Sequence, residues 1–86
     1  MFSAAVTIKN KTGLHARPAS ALVSLCQKYD SRIQIIHGNV TVNPKSIVSV
    51  LSGEIKQGTT ITLTAEGPDE QEAGREILKF MKSLKE

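Results

Sequence analysis

The sequence is poor in aromatic residues and in cysteine. Its 86 residues include one tyrosine, two phenylalanines, no tryptophan and a single cysteine, Cys26. So few rings give little support to base stacking on single-stranded nucleic acid. One cysteine excludes an internal disulfide and fits a reducing compartment, and its spacing from apolar neighbours predicts a core position. No long apolar run is present, so no segment has the length of a transmembrane helix.

The first residues, Met1 to Ala4, lack the basic region and apolar stretch of a signal peptide, which predicts a cytoplasmic protein. The net charge of +3 and the pI near 9.3 favour acidic partner surfaces, but the lysines and arginines are not concentrated in blocks. We therefore expect no nucleic-acid partner. Two histidines and one cysteine do not form a metal-ligand spacing, so neither a metal nor another cofactor is predicted.

A chain of 86 residues is long enough for one domain, residues 1–86, with no linker or repeat. It leaves little room for a catalytic cleft with several walls. We therefore expect a partner protein to complete any active site, and the chain is not predicted to be a stand-alone enzyme.

Alternating apolar residues predict four strands. The alternation runs from Phe2 to Ile8 and again from Thr59 to Glu66. Arg32–Ile36 and Val40–Val42 read as two further strands joined at His37-Gly38-Asn39, where glycine and asparagine accept a positive φ. His37 is interpreted as a turn histidine.

Helical spacing predicts three helices. The first begins at Ala16 and ends near Asp30, with Ala19, Leu22, Val23, Cys26 and Tyr29 on one face. The second is short, carries Ile47, Val48, Val50 and Leu51, and has Ser46 as its N-cap and Gly53 as its exit. The third runs from about Pro68 or Asp69 to Lys85, with Ala73, Ile77, Phe80, Met81 and Leu84 on one face. The resulting order, βαββαβα, favours an α+β fold with an antiparallel sheet and helices packed on one face.

The residues Gly13-Leu14-His15-Ala16-Arg17-Pro18-Ala19 place an imidazole just before a helix start. Pro18 is tolerated in the first helical turn. A helix N-terminus offers backbone N–H groups and the positive end of a dipole to an anion, and the Arg17 guanidinium adds a fork of donors. Imidazole is nucleophilic near neutral pH. His15 alone would read as a turn or capping histidine and Arg17 as a solvated charge, but together they predict transient phosphoryl carriage.

These residues, together with Asn43-Pro-Lys-Ser-Ile-Val-Ser-Val-Leu-Ser52 and the Ala-Glu-Gly-Pro-Asp-Glu segment, resemble the HPr family of histidine-containing phosphocarriers of the bacterial sugar phosphotransferase system. The resemblance covers essentially the whole chain. It implies an open-faced sandwich, a four-stranded antiparallel sheet covered on one face by three helices. It also implies that Nδ1 of His15 becomes phosphorylated, with Arg17 offsetting the charge.

The resemblance implies Enzyme I as the phosphoryl donor and the IIA domains of sugar permeases as acceptors, so that the membrane is involved only through the permease. It places partner docking on Thr12, Ala16, Ser20, Ile47, Val48 and Leu51, and we expect one or two of the last three to be exposed. Ser46 matches a serine that HPr kinase/phosphorylase phosphorylates in many Gram-positive bacteria, with a transcriptional regulator as a further partner. A phosphate there would put about −2 charge on the docking surface. We expect a monomer.

Four positions depart from the family pattern: Val48 is smaller than the usual methionine or phenylalanine, Ser49 replaces glycine or lysine, and Gly53-Glu54 replaces a leucine-glycine pair. A carboxylate near a phosphohistidine would repel its charge, so Glu54 either alters partner choice or points away from the site. These departures leave open a regulatory paralogue, acting as a Ser46-controlled binding module or in a nitrogen-type phosphorelay.

Overall fold

The computed structural model describes residues 1–84, and the predicted order of strands and helices is confirmed. The elements are β1 (Phe2–Thr7), α1 (Ala16–Cys26), β2 (Arg32–His37), β3 (Val40–Val42), α2 (Ile47–Ser52), β4 (Thr60–Glu66) and α3 (Glu70–Lys82).

The four strands form one antiparallel sheet in the order β1-β4-β2-β3. The last long strand, β4, lies inside the sheet, so Leu63 is opposite Ala4 on one side and Ile35 on the other. Alternate residues of the strands point toward the helices and are buried. They are Val6, Ile33, Ile35, Val42, Ile61, Leu63 and Ala65. The fold is therefore the open-faced sandwich that the sequence predicts.

The helices contribute unequally to the core. The first helix buries the face from Ala19 to Cys26, and the third buries Ala73, Ile77 and Met81, which pack against the sheet. The short helix α2 buries only Val50. Burial on one stripe gives α1 and α3 their stability, whereas a six-residue helix with one buried side chain depends on its neighbours and caps.

The first helix is shorter than predicted, ending at Cys26 instead of near Asp30. Beyond it the amides of Lys28 and Tyr29 donate to carbonyls three residues back, so the helix closes in tight turns. Tyr29 is only half-buried beyond this end. The predicted end of α3, Lys85, lies outside the described residues.

The hairpin between β2 and β3 is also tighter than predicted. His37 pairs with Val40, so the loop is Gly38-Asn39 alone, and His37 is a strand residue, not a turn residue. Gly38 has φ of 56°, whereas Asn39 is not among the residues with positive φ. Positive φ at the first central position alone is the pattern of a type II′ turn, which suits glycine there.

None of the helices within residues 1–84 is long and apolar enough to span a bilayer.

Candidate functional site

His15 lies at the first boundary of α1. It occupies the N-cap position with extended backbone angles, φ −128° and ψ 166°, and its side chain makes no capping hydrogen bond to the helix. The residue is half-buried. The helix thus starts without using the imidazole, which leaves the ring available for chemistry.

The backbone just before His15 is held against the segment that follows α2. The amide of Leu14 donates to the carbonyl of Ile55 at 2.9 Å, and both side chains are fully buried. Gly13 has φ of 62°, and a Cβ there would lie 2.2 Å from the same Ile55 oxygen. Gly13 is therefore required by both its backbone angle and this close approach.

The residue just after His15, Ala16, has φ of 53°. This left-handed conformation costs an L-residue about 1–2 kcal/mol, and nothing in the sequence pattern signals it. Such a conformation persists only where the surrounding structure holds it, and residues of this kind cluster at functional sites.

The first turn of α1 combines several features that suit an anion. Pro18 is buried and has no N–H, while the N–H groups of Ala16 and Arg17 precede the first intrahelical hydrogen bond. Arg17 is exposed. The helix start and the guanidinium therefore lie on the chain immediately after the imidazole.

The helices α1 and α2, which flank the candidate site, run antiparallel. Beyond the end of α1, Gln27 donates to the Lys45 carbonyl at 3.2 Å, and the Lys45 ammonium donates to the Tyr29 carbonyl at 2.6 Å. At the opposite end, Leu14 is bonded to Ile55 beyond the end of α2. The C-terminal end of α2 is thus the end nearer His15, and Ser46 lies about one length of α2, roughly 9 Å, further away.

The exposed apolar residues of α2 form a strip. The side chains of Ile47, Val48 and Leu51 are 40%, 70% and 43% exposed. The expectation that only one or two would be exposed is therefore wrong, because α2 turns a single residue, Val50, into the core. We call Ile47, Val48 and Leu51 the α2 strip. The other predicted docking residues, Thr12, Ala16 and Ser20, are exposed as well.

Ser46 is the N-cap of α2, as predicted, and its Oγ accepts a hydrogen bond from the Ser49 amide at 3.3 Å. The side chain of Ser49 has its own role: its Oγ accepts from the Asn43 amide at 2.9 Å. This position, where the family has glycine or lysine, therefore ties the end of β3 to α2.

Glu54 follows the C-cap residue Gly53 and has φ of 52°. As predicted, α2 ends at Gly53. Glycine is not required there by its backbone angle, since φ is a helical −71°, but because there is no room for a side chain. A Cβ there would lie 2.5 Å from Cγ2 of Val42. The left-handed residue that glycine usually supplies after a helix is thus the exposed Glu54.

The second histidine, His37, supports α2 from the sheet. Its Nε2 lies 3.0 Å from the carbonyl oxygen of Gly53, and because a carbonyl only accepts, the imidazole donates. Cys26 is buried, as predicted, and burial raises the pKa of its thiol to about 12, so it stays protonated and unreactive. Among residues 1–84 no three histidine, cysteine, aspartate or glutamate side chains form a group suited to a metal.

The fold and the site define a small open-faced sandwich with a histidine at a helix start beside an exposed apolar helix. The family model described as PTS-HPr, "PTS HPr component phosphorylation site", matches residues 2–83. The chain belongs to the HPr family.

Two curated relatives are each 45% identical to the chain. One is the phosphocarrier protein HPr of Mycoplasma capricolum, matched over 93% of this chain and 88% of that protein. The other is the HPr-like protein Crh of Halalkalibacterium halodurans, matched over 88% of this chain and 90% of that protein. The crystal structure of HPr-C-His from Thermoanaerobacter tengcongensis superposes with a TM-score of 0.93 at 42% identity, covering 96% of this chain and 93% of that one.

Two further solved structures are dimers. One is an HPr dimer from Thermoanaerobacter tengcongensis, with a TM-score of 0.77 at 44% identity over 91% of this chain and 90% of that one. The other is an intertwined, domain-swapped dimer of Crh from Bacillus subtilis, with a TM-score of 0.75 at 36% identity over 90% of this chain and 88% of that one. The expectation of a monomer therefore finds no support in these relatives.

Proposed function

We propose that the protein is a phosphoryl carrier of the phosphoenolpyruvate-dependent sugar phosphotransferase system. His15 accepts a phosphoryl group on Nδ1 from phospho-Enzyme I and passes it to the IIA components of sugar permeases. The observation that carries the proposal is the position of His15: the ring stands at the start of α1 without capping it. Membership of a family whose model describes a phosphorylation site supports the same reading.

In this proposal the charge of the phosphoryl group is offset by features that follow His15 on the chain. Arg17 supplies a fixed positive charge, and the start of α1 supplies backbone N–H groups and the positive end of the helix dipole. The phosphoryl group moves in line: its bond to the donor breaks as the bond to Nδ1 forms. A small carrier contributes positioning and charge, and the partner completes the site.

The α2 strip is the proposed docking surface, extended by Thr12, Ala16 and Ser20. Exposed apolar groups beside a reactive histidine suit reversible binding, because a carrier must leave one partner before it meets the next. Enzyme I and the IIA domains would use this surface in turn.

Phosphorylation of Ser46 is the proposed regulation, with HPr kinase/phosphorylase as the enzyme and a transcriptional regulator as a further partner. Ser46 borders the α2 strip at the end away from His15. A phosphate there adds about −2 charge to the docking surface, so it would act on partner binding more than on the imidazole.

A regulatory, Crh-like role is the alternative function, and the 45% identity to a Crh protein is the observation that favours it. In that role the chain would act as a Ser46-controlled binding module or in a nitrogen-type phosphorelay. The presence of His15 supports the carrier role over a binding module that needs no phosphohistidine.

A cytoplasmic monomer is the proposed working form. Sedimentation of the purified protein tests this part, and a stable dimer at micromolar concentration would contradict it.

The test of the proposed function is intact-mass analysis after incubation with Enzyme I, Mg²⁺ and phosphoenolpyruvate. We expect one acid-labile phosphate on the wild-type protein and none on His15→Ala. The matched control is His37→Gln, which removes the other histidine but keeps an amide donor for the Gly53 carbonyl. It should gain phosphate like wild type. No adduct on the wild-type protein with an Enzyme I from the same organism would overturn the carrier role and favour the binding module.

A further inference from the structure

The peptide bond between Gly13 and Leu14 is held from both sides. Its carbonyl oxygen accepts a hydrogen bond from Nδ2 of Asn10 at 2.7 Å. Its N–H, carried by Leu14, donates to the carbonyl of Ile55 at 2.9 Å. Because a peptide unit is planar, fixing its oxygen and its N–H fixes the orientation of the whole plane.

Asn10 is suited to hold this plane because it is buried, with only 4% of its surface exposed. The backbone carbonyl of Asn10 accepts a hydrogen bond from the Gly13 amide at 3.2 Å. Residues 10–13 therefore form a closed turn that is bonded through both the backbone and the Asn10 side chain. A hydrogen bond shielded from water holds its geometry better than an exposed one, and a buried amide is costly to leave without its bonds.

The held plane lies one residue before His15. The side chain of Leu14 is fully buried, so its packing in the core also fixes the position of the backbone at this residue. His15 follows directly, and Ala16 after it has the left-handed φ of 53°. A strained residue needs rigid structure on both sides. The buried residues Pro18 and Ala19 provide it on the helix side, and the Gly13–Leu14 plane provides it on the loop side.

We infer that Asn10 is a positioning residue for phosphoryl transfer on His15: its bond to the Gly13 carbonyl orients the backbone that places the imidazole. The inference rests on the proposed carrier function. In this inference Asn10 acts through its bond to the Gly13 carbonyl, and so through the backbone that leads to Leu14 and His15. Loss of its amide donor leaves the α2 strip intact and therefore should lower the transfer rate more than the affinity for Enzyme I.

The experiment compares Asn10→Ala with wild type as substrates of phospho-Enzyme I in rapid-quench kinetics. We expect the maximal rate of His15 phosphorylation to fall about five- to tenfold, with KM changed less than twofold. The second readout is the His15 ring signal in two-dimensional NMR, which we expect to broaden or double. Should Asn10→Ala not fold, Asn10→Ser serves in its place, because its hydroxyl is polar but too short to reproduce the amide contact, and the same fall is expected.

The matched control is Gln57→Ala. The Nε2 of Gln57 donates to the Lys9 carbonyl at 3.0 Å, so this change also removes one side-chain bond to the backbone next to Asn10, but one that does not reach Gly13. Its transfer rate and ring signal should match wild type. A folded Asn10 variant with a wild-type rate and a single sharp ring signal would overturn the inference while leaving the carrier function standing. Absence of phosphate on the wild-type protein would instead refute the carrier function.

Discussion

Two non-glycine residues in the described chain have a left-handed backbone, Ala16 and Glu54, and both lie at ends of the site helices. Each pays a conformational cost that glycine would avoid. Ala16 adjoins His15, whereas Glu54 follows the end of α2. Glu54 therefore has a strained backbone at the position where the family pattern has glycine.

Glu54→Gly should stabilise the protein by about 1 kcal/mol, because glycine adopts positive φ without strain at this exposed position. The control is Glu54→Ala, which removes the carboxylate but keeps a Cβ and should bring no comparable gain. Urea unfolding at neutral pH measures both. Equal stabilisation by the two variants would show that charge, not backbone angle, is the cause.

Gly13 and Gly38 provide a matched pair for the loop before His15. Both have positive φ, but a Cβ at Gly13 meets the Ile55 carbonyl and one at Gly38 meets nothing within 4 Å. Gly38→Ala should cost about 1 kcal/mol, from the backbone angle alone. Gly13→Ala should cost at least about 2 kcal/mol more, because the loop must also move away from Ile55. Thermal unfolding compares the two, and similar costs would contradict the close approach.

At the scale of the element, α2 differs from the other helices because most of its apolar surface is exposed. It is held at its start by the Ser46 cap and at its end by the bond between His37 and the Gly53 carbonyl. One buried residue, Val50, anchors it to the core. The helix is thus fixed by its ends and keeps the α2 strip available for a partner.

Val48→Asp should raise the KM for Enzyme I about tenfold or more with little change in stability, because Val48 is 70% exposed and a charge would disrupt an apolar contact. The control is Val40→Asp, at a 40% exposed valine on β3 outside the α2 strip, which should leave KM unchanged. Steady-state phosphorylation kinetics measure both. A KM unaffected by Val48→Asp would place the docking surface elsewhere.

At the scale of the whole molecule, carboxylates at the start of α3 join distant parts of the fold. Asp69 accepts hydrogen bonds from the Ser31 hydroxyl and from the amides of Asp30 and Ser31, which lowers the pKa of its carboxyl. Glu70 pairs with the terminal ammonium of Met1 at 2.6 Å and accepts from the Gly67 amide, and these contacts lower the pKa of its carboxyl too. The start of β1, the start of β2 and the start of α3 are thereby connected.

Stability should fall in acid. A carboxyl with a lowered pKa in the folded state stabilises the fold fully above its unfolded pKa, about 4, and that contribution is lost as pH falls through the folded value. The Tm should therefore stay nearly constant from neutral pH to about pH 5 and decline below about pH 4. Asp69→Asn should lower the Tm at neutral pH and flatten the acid decline, because the amide cannot accept all three bonds as a carboxylate does.

Glu76→Gln is the control for this pH profile, since it removes an exposed carboxylate of α3 that accepts none of these bonds. Its acid decline should match wild type. Calorimetric scans between pH 3 and pH 7 give the comparison, and an unchanged decline in Asp69→Asn would assign the acid loss to other groups.

The sequence by itself determined the order of elements and the residues of the core. Alternation in β1 and β4 and the helical spacing of Ala19, Leu22 and Ala73, Ile77 leave only one face of each element suited to burial, so local pattern dictates which face turns inward. The helix start at Gly13, His15 and Pro18 could likewise be predicted from the sequence, because glycine and proline have strong local conformational preferences.

Only the tertiary structure decided how the site is held. The left-handed Ala16 and the exposure of all three strip residues are properties of the folded chain. The bond from Leu14 to Ile55 and the antiparallel placement of α2 depend on contacts between segments that are distant in the sequence. The role of Asn10 is of the same kind: a polar residue in a loop becomes a buried donor only in the folded chain. Local pattern specifies what a segment can form, and packing between segments fixes which of its groups meet.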